Sequence, residues 1–215
     1  MTSFIEPLAQ ESTPSIIADK LRQAISHGEL KPGAQLGEAD LARKLGVSRG
    51  PLREGMQRLT QEGLLVSIRN RGLFVIDMTP DDVRDMYLAR EAIERAAARR
   101  IADGDHEAAG KELLAIVEQM AAAEGDPAAV SELDIAFHER LVQLAGSPRL
   151  SRMHATSITE TRMCIHALAE TYTLSEARIG EHKALAEAIA AGDYLLADDL
   201  LMAHMDDAIT RLTNR

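Results

Sequence analysis

The chain has 215 residues, a formal net charge of −10 and 46% hydrophobic residues, yet no Trp, three Phe and three Tyr. Any core must be aliphatic, and the acidic balance excludes polyanion binding over the whole surface while leaving room for a local basic face. The single cysteine, Cys164, excludes an intrachain disulfide and a thiolate zinc cluster. The first residues lack the basic and apolar regions of a secretory signal, and no run approaches about 18 apolar residues, so no membrane-spanning helix is expected and the cytoplasm is the expected location.

Charge divides the chain. Residues 1–76 carry 10 Lys and Arg against 8 Asp and Glu, whereas residues 77–215 carry 14 against 26. The division predicts a flexible arm over 1–14, a small basic module over 15–77 and a larger acidic helical module over 78–215.

The basic module begins with helical spacing at Ile17, Leu21 and Ile25, closed by Gly28. Pro32-Gly33 makes a turn. A second helix fits Glu38 to Leu45, with Leu41 and Leu45 inward. Ser48 is placed to cap a third helix, with Pro51 in its first turn and Gly63 at its end. Leu52, Met56 and Leu59 line one face of that helix, while Arg49, Arg53 and Gln57 line another. Two short helices joined by a tight turn, the second carrying long donors outward, predict a helix-turn-helix. Short strands over 64–68 and 73–76 then flank Arg69-Asn70-Arg71-Gly72, a basic hairpin tip. The alternative is an ordinary solvated face, with Arg58 paired to Glu54 or Glu62.

The stretch LKPGAQLGEADLARKLGVSRGPLREGMQRLTQEGLL resembles the winged helix-turn-helix of the GntR family. It carries Pro32-Gly33, Leu36, Glu38, Leu41-Ala42, Leu45-Gly46-Val47-Ser48-Arg49, Pro51-Leu52-Arg53-Glu54 and Glu62-Gly63-Leu64. The resemblance implies operator contacts from Arg49 and Arg53 and a wing tip in the minor groove. The candidate DNA-binding residues are therefore Arg43, Ser48, Arg49, Arg53, Gln57, Arg69, Asn70, Arg71 and Gly72. Ala39 stands where some relatives place a DNA-contacting arginine. Gly55 replaces a commoner alanine and is expected to weaken the third helix slightly.

In the acidic module, Thr79-Pro80-Asp81-Asp82 is a helix start, with a cap, a proline and acids near the positive end. Helices are predicted to about Asp103, then over 107–123, 127–146, 148–168, 175–191 and 194–212. Together they predict an antiparallel helical bundle of six or seven helices. Asp134 and His138 share one helix face at i and i+4, with His182 and His204 on the last two helices. One carboxylate and three imidazoles suit a borderline divalent cation such as Zn²⁺, Ni²⁺, Co²⁺ or Mn²⁺. Helix spacing explains only the first pair. The four could equally be surface or capped core residues, since His27, His106, His154 and His166 carry no motif.

YLAREAIERAAARR, ELDIAFHERLVQLAGSPRL and GEHKALAEAIAAGD, with the final helix, resemble the FCD effector domain of the FadR subfamily. The resemblance implies a divalent metal, Zn or Ni with Co and Mn as alternatives, held by Asp134, His138, His182 and His204. It also implies that Arg90 points toward a small carboxylate effector. Arg162 and Thr161 are further candidates for that space, and Arg90 could instead pair with Glu94. The expected whole is a homodimeric, ligand-responsive transcriptional regulator, a repressor released by a small organic or sugar acid. The rival is a metal-dependent hydrolase with a nucleic-acid-binding head, which lacks an evident general base beside the metal.

Overall fold

The computed structural model describes residues 12–167 and 176–213, which form two compact units dividing between Asp77 and Met78. The first contains α1 (Thr13–Ser26), β1 (Gln35–Leu36), α2 (Glu38–Leu45), α3 (Arg49–Gln61), β2 (Leu65–Ile68) and β3 (Gly72–Val75). Of the expected arm, residues 1–11 lie outside the described residues, and Thr13 and Pro14 are helical. Ser12 caps α1, its Oγ accepting from the Ser15 amide at 3.4 Å, and Pro14 sits in the first turn, where a missing N–H costs nothing.

Ile17, Leu21 and Ile25 of α1 pack with Leu52, Met56 and Leu59 of α3 in the aliphatic core of this unit. Arg22 clamps the end of α3 through Glu62, with Nε donating to Oε2 at 3.0 Å and Nη2 to Oε1 at 2.8 Å. Because Glu62 is engaged there, Arg58 does not pair with it and instead donates to Ser15 Oγ at 2.9 Å. Gly46 takes φ +65 between α2 and α3, a conformation a β-carbon would strain. Ser48 has the extended backbone of an N-cap, but its hydroxyl makes no capping bond. Pro51, at the third helical position, removes one of the two amides that hydroxyl could bond, leaving only that of Gly50.

The wing is three-stranded and antiparallel, in the order β1-β3-β2, with Leu36 opposite Leu73 and Ile68 opposite Gly72. β1 was not anticipated, because two residues are too few to show alternation. Asn70 turns the tip at φ 63, and the Arg71 guanidinium lies 5.1 Å from the Phe74 ring centroid.

The second unit is an antiparallel helical bundle of six described helices: α4 (Pro80–Ala102), α5 (His106–Ala122), α6 (Pro127–Leu144), α7 (Pro148–Ala167), α8 (Glu176–Ala190) and α9 (Tyr194–Thr213). Leu168 and Ser175, expected as helix ends, lie outside the described residues. Thr79 and Asp82 form a reciprocal capping box at the start of α4. α5 packs on α8 and α4 on α9, around a core that includes Val83, Ile93, Leu113, Phe137, Leu141, Leu185 and Leu201. A two-pronged ion pair from Arg95 to Asp198, at 2.6 and 2.7 Å, fixes α4 against α9. No described helix is long and apolar enough to cross a membrane.

Gly55 has a use the sequence did not reveal. A Cβ there would lie 2.8 Å from Ile17 Cγ2 and 3.0 Å from the Pro14 carbonyl, so its absence lets α1 and α3 approach. Gly55→Ala is expected to lower stability by about 1–3 kcal/mol through overpacking, despite about 1 kcal/mol of gained helix propensity. Urea unfolding followed by circular dichroism checks this, and a more stable variant would show that the crossing relaxes freely.

Candidate metal centre and nucleic-acid interface

α6 presents Asp134 and His138 to the bundle interior, α8 presents His182 and α9 presents His204. All four are buried, and one ligand atom from each lies within 4.8 Å of the others. His138 Nε2 is 3.1 Å from His204 Nε2 and 3.3 Å from His182 Nε2, and His182 Nε2 is 3.2 Å from Asp134 Oδ1. The His138 and His204 rings stack at 28°, and Phe137 meets the His182 ring edge-on at 4.8 Å.

The remaining ring nitrogens explain the arrangement. His138 Nδ1 faces Glu94 Oε2 at 2.7 Å, His182 Nδ1 faces the Arg178 carbonyl at 2.8 Å, and His204 Nδ1 faces Glu181 Oε2 at 3.2 Å. All three partners are acceptors, so each Nδ1 carries the proton and each Nε2 presents a lone pair. Three lone pairs and a carboxylate then converge. Asp134 Oδ1 is buried and accepts no hydrogen bond from the described residues. Such a donor set repels itself until a cation enters, so the residues present fit a divalent ion. Three imidazoles and one carboxylate suit a borderline metal better than Ca²⁺ or Mg²⁺.

The electrostatics agree. Burial pushes the His138 pKa down to about 3, against the pull of Glu94. Burial and then neighbouring His182 hold His204 well below its ordinary value. Burial works against ionisation of Asp134, but the Arg178 guanidinium outweighs it and holds the carboxyl well below the usual range. Both rings are thus neutral and the carboxylate charged, the states in which they bind metal.

Arg90 is fully buried, and its Nε donates to Glu94 Oε1 at 2.6 Å. The Glu94 pairing is thus real, formed within α4. Its Nη1 lies 3.4 Å from Thr161 Oγ1, while Nη2 has no hydrogen-bond partner among the described residues. Tyr87 packs 5.3 Å beneath the guanidinium, and burial lifts its phenol to about 12. Arg162 is held by Glu132 of α6 at 3.2 Å, an ion pair the sequence did not suggest.

Two features of this interior escaped sequence reasoning, the wider role of Glu94 and the presence of His154. Glu94 accepts from Arg90, from His138 and, at 2.9 Å, from His154 Nε2. The signal was present for Glu94. Tyr87, Arg90, Glu94, Ala97 and Ile101 fall on one helical stripe, and two charges on an apolar stripe mark a buried pair. His154 gave no comparable signal.

In the first unit every candidate DNA contact is exposed: Arg43, Ser48, Arg49, Arg53 and Gln57 on the helices, and Arg69, Asn70, Arg71 and Gly72 on the wing. Arg53 Nε donates to Glu38 Oε2 at 2.8 Å, and Arg43 pairs with Asp40 at 3.0 Å.

Residues 15–75 match the family model for bacterial regulatory proteins of the gntR family, and residues 85–207 match the FCD domain. The chain belongs to the GntR family. Regulators of this kind read DNA through the helix-turn-helix and respond to a small molecule through the FCD unit, so this GntR-family protein is a transcriptional regulator and not an enzyme. It is 29% identical over 207 residues to the "Probable D-xylose utilization operon transcriptional repressor" of Paenarthrobacter nicotinovorans, covering 95% of this chain and 91% of that one. It is 30% identical over 138 residues to the gluconate operon transcriptional repressor of Bacillus subtilis, covering 63% of this chain and 56% of the relative. A crystal structure of a GntR-type transcriptional regulator from Rhodococcus sp. RHA1 superposes with a TM-score of 0.79 at 30% identity, covering 94% of this chain and 98% of the other.

The metal-stripped protein is expected to lose stability as pH falls from about 7 to 5. His138 and His204 stay neutral when folded but take up protons near 6.5 when unfolded, so the unfolded chain binds more protons in that window. Below it, protonation of Asp134 and Glu94 acts in the same direction. Denaturant midpoints across pH check this, and a midpoint unchanged between pH 7 and 5 would mean the imidazoles protonate without unfolding.

Proposed function

We propose that this chain is a homodimeric, cytoplasmic repressor whose FCD unit holds one divalent metal ion and a small organic or sugar acid that releases the operator. The observation that carries the reading is the convergence of Asp134, His138, His182 and His204, joined through Glu94 to a buried arginine with an unmatched Nη2. A metal there supplies a Lewis-acid position for one effector oxygen. Arg90 Nη2 supplies a charge-assisted hydrogen bond to a carboxylate, while Thr161 Oγ1 beside it accepts from Nη1. Zn²⁺ or Ni²⁺ fits the three-imidazole set best, with Co²⁺ and Mn²⁺ as alternatives. The sugar and sugar-acid operons named for the two curated relatives support an effector of this size.

The reader is the unit over 15–77, and effector binding and dimerisation belong to 78–215. Two copies of α3 enter successive major grooves of a near-palindromic operator. Arg49, Arg53 and Gln57 reach base edges, with an arginine on guanine as the chief discriminating contact. Ser48, its hydroxyl spared from capping, and Arg43 contact phosphates, while Arg69, Asn70, Arg71 and Gly72 carry the wing into the minor groove. Effector binding favours one arrangement of the paired heads and so shifts the population away from the DNA-competent dimer.

Two measurements test the reading. Arg53→Ala is expected to weaken operator binding about ten-fold or more at fixed salt while leaving thermal stability nearly unchanged, and unaltered affinity would remove Arg53 from the interface. Elemental analysis after metal-supplemented, chelator-free purification is expected to find about one divalent ion per chain, lost in His138→Ala. A thermal-shift screen of organic and sugar acids, with and without metal, then identifies the effector class. Metal-free wild-type protein would sink the metal reading.

A further inference from the structure

The three imidazoles of the metal centre are not equally well anchored. His182 Nδ1 is tied to a backbone carbonyl of its own helix. His204 Nδ1 faces Glu181, whose side chain is 36% exposed and shared with solvent. His138 Nδ1 faces Glu94, whose side chain has no exposed surface. Glu94 also receives Arg90 Nε at 2.6 Å and His154 Nε2 at 2.9 Å on its other oxygen. One carboxylate therefore joins α4, α6 and α7 around a single metal-ligand candidate.

Stability alone does not account for this arrangement. A buried ion pair is commonly replaceable by apolar residues without loss, whereas removal of one partner is strongly destabilising. What a carboxylate does here that an apolar side chain cannot is choose the tautomer of His138. An acceptor at Nδ1 keeps the proton there and leaves Nε2 free for a cation.

We infer that Glu94 is the positioning residue of the metal centre: it holds the His138 proton on Nδ1, and through the same carboxylate it fixes the Arg90 guanidinium by Nε. This rests on the metal reading above. Glu94 ties the ligand-bearing α6 to the arginine-bearing α4, so a change on either side is felt by the other through one group.

The test is Glu94→Gln in the full-length protein, a near-isosteric change that replaces an acceptor-only group by a neutral amide. Zn²⁺ affinity, measured by competition with a chromogenic chelator, is expected to weaken about 10–100-fold. In metal-free protein, imidazole ¹⁵N spectra are expected to show His138 protonated at Nδ1 in the wild type and shifted toward the Nε2 tautomer in the variant. A variant that is less heat-stable but keeps both the Zn²⁺ affinity and the His138 tautomer would reduce Glu94 to a structural ion pair and overturn the inference. Should Arg90, left uncompensated, prevent folding, the neutral pair Arg90→Gln/Glu94→Gln replaces the single variant. It is expected to bind Zn²⁺ about ten-fold or more weaker than Arg90→Gln alone, and equal affinities would overturn the inference. If the wild type takes up no Zn²⁺, the metal reading fails on its own, and the tautomer spectra still decide for or against Glu94.

Discussion

Four ionised side chains sit inside an aliphatic bundle, and their mutual compensation is the constraint on which the second unit depends. Arg90, Glu94, Asp134 and Arg178 are each almost entirely removed from solvent. An isolated charge in such a place costs several kcal/mol even after relaxation. Here Arg90 lies against Glu94 and Arg178 lies 3.7 Å from Asp134, so negative and positive charges alternate through the interior. The helices bearing them cannot slide independently. A shift of α4 against α6 would separate Glu94 from His138, and a shift of α8 against α6 would separate Arg178 and His182 from Asp134. The aliphatic side chains supply the bulk of the burial, while the charged groups specify its register.

Much of this was readable in the chain, and the division follows the range of the interactions. Helix starts are local, so Thr79-Pro80 announced itself through capping chemistry. The pairing of Asp134 with His138 is likewise local, because an α-helix places i and i+4 together whatever surrounds it. The approach of His182 and His204 to that pair depends on how α6, α8 and α9 pack, which no periodicity encodes. It came only from resemblance to a known domain. Glu94 was considered as a partner of Arg90 but not as the hub it is, because its other two donors come from α6 and α7. Ser48 shows where a local rule stops. It stands at the N-cap as expected, yet its hydroxyl makes no capping bond.

The first unit illustrates how a small aliphatic core can hold a reading helix firmly. Leu52, Met56 and Leu59 are fully buried beneath α3, and Gly55 lets α1 lie close along the same face. The Arg22–Glu62 clamp secures the far end of the helix. Order at Arg49 and Arg53 is therefore inherited from packing on the opposite side, and a single step along the helix separates residues of quite different tolerance. Leu52 is fully buried, while Arg53, next in the chain, faces solvent.

The internal ion pairs of the reading head have a consequence for genomic search. Arg53 is paired with Glu38, and both Arg43 and Lys44 with Asp40. A head that carries its own counterions displaces fewer cations from the polyelectrolyte sheath of random duplex, so its grip on non-cognate sequence is weaker and more easily shed. Were this surface to lie on DNA as proposed, residence on random sequence would be shortened, leaving more copies to sample the rare cognate site. The carboxylates that look like a handicap in a nucleic-acid-binding surface thus act as a brake on promiscuous occupancy.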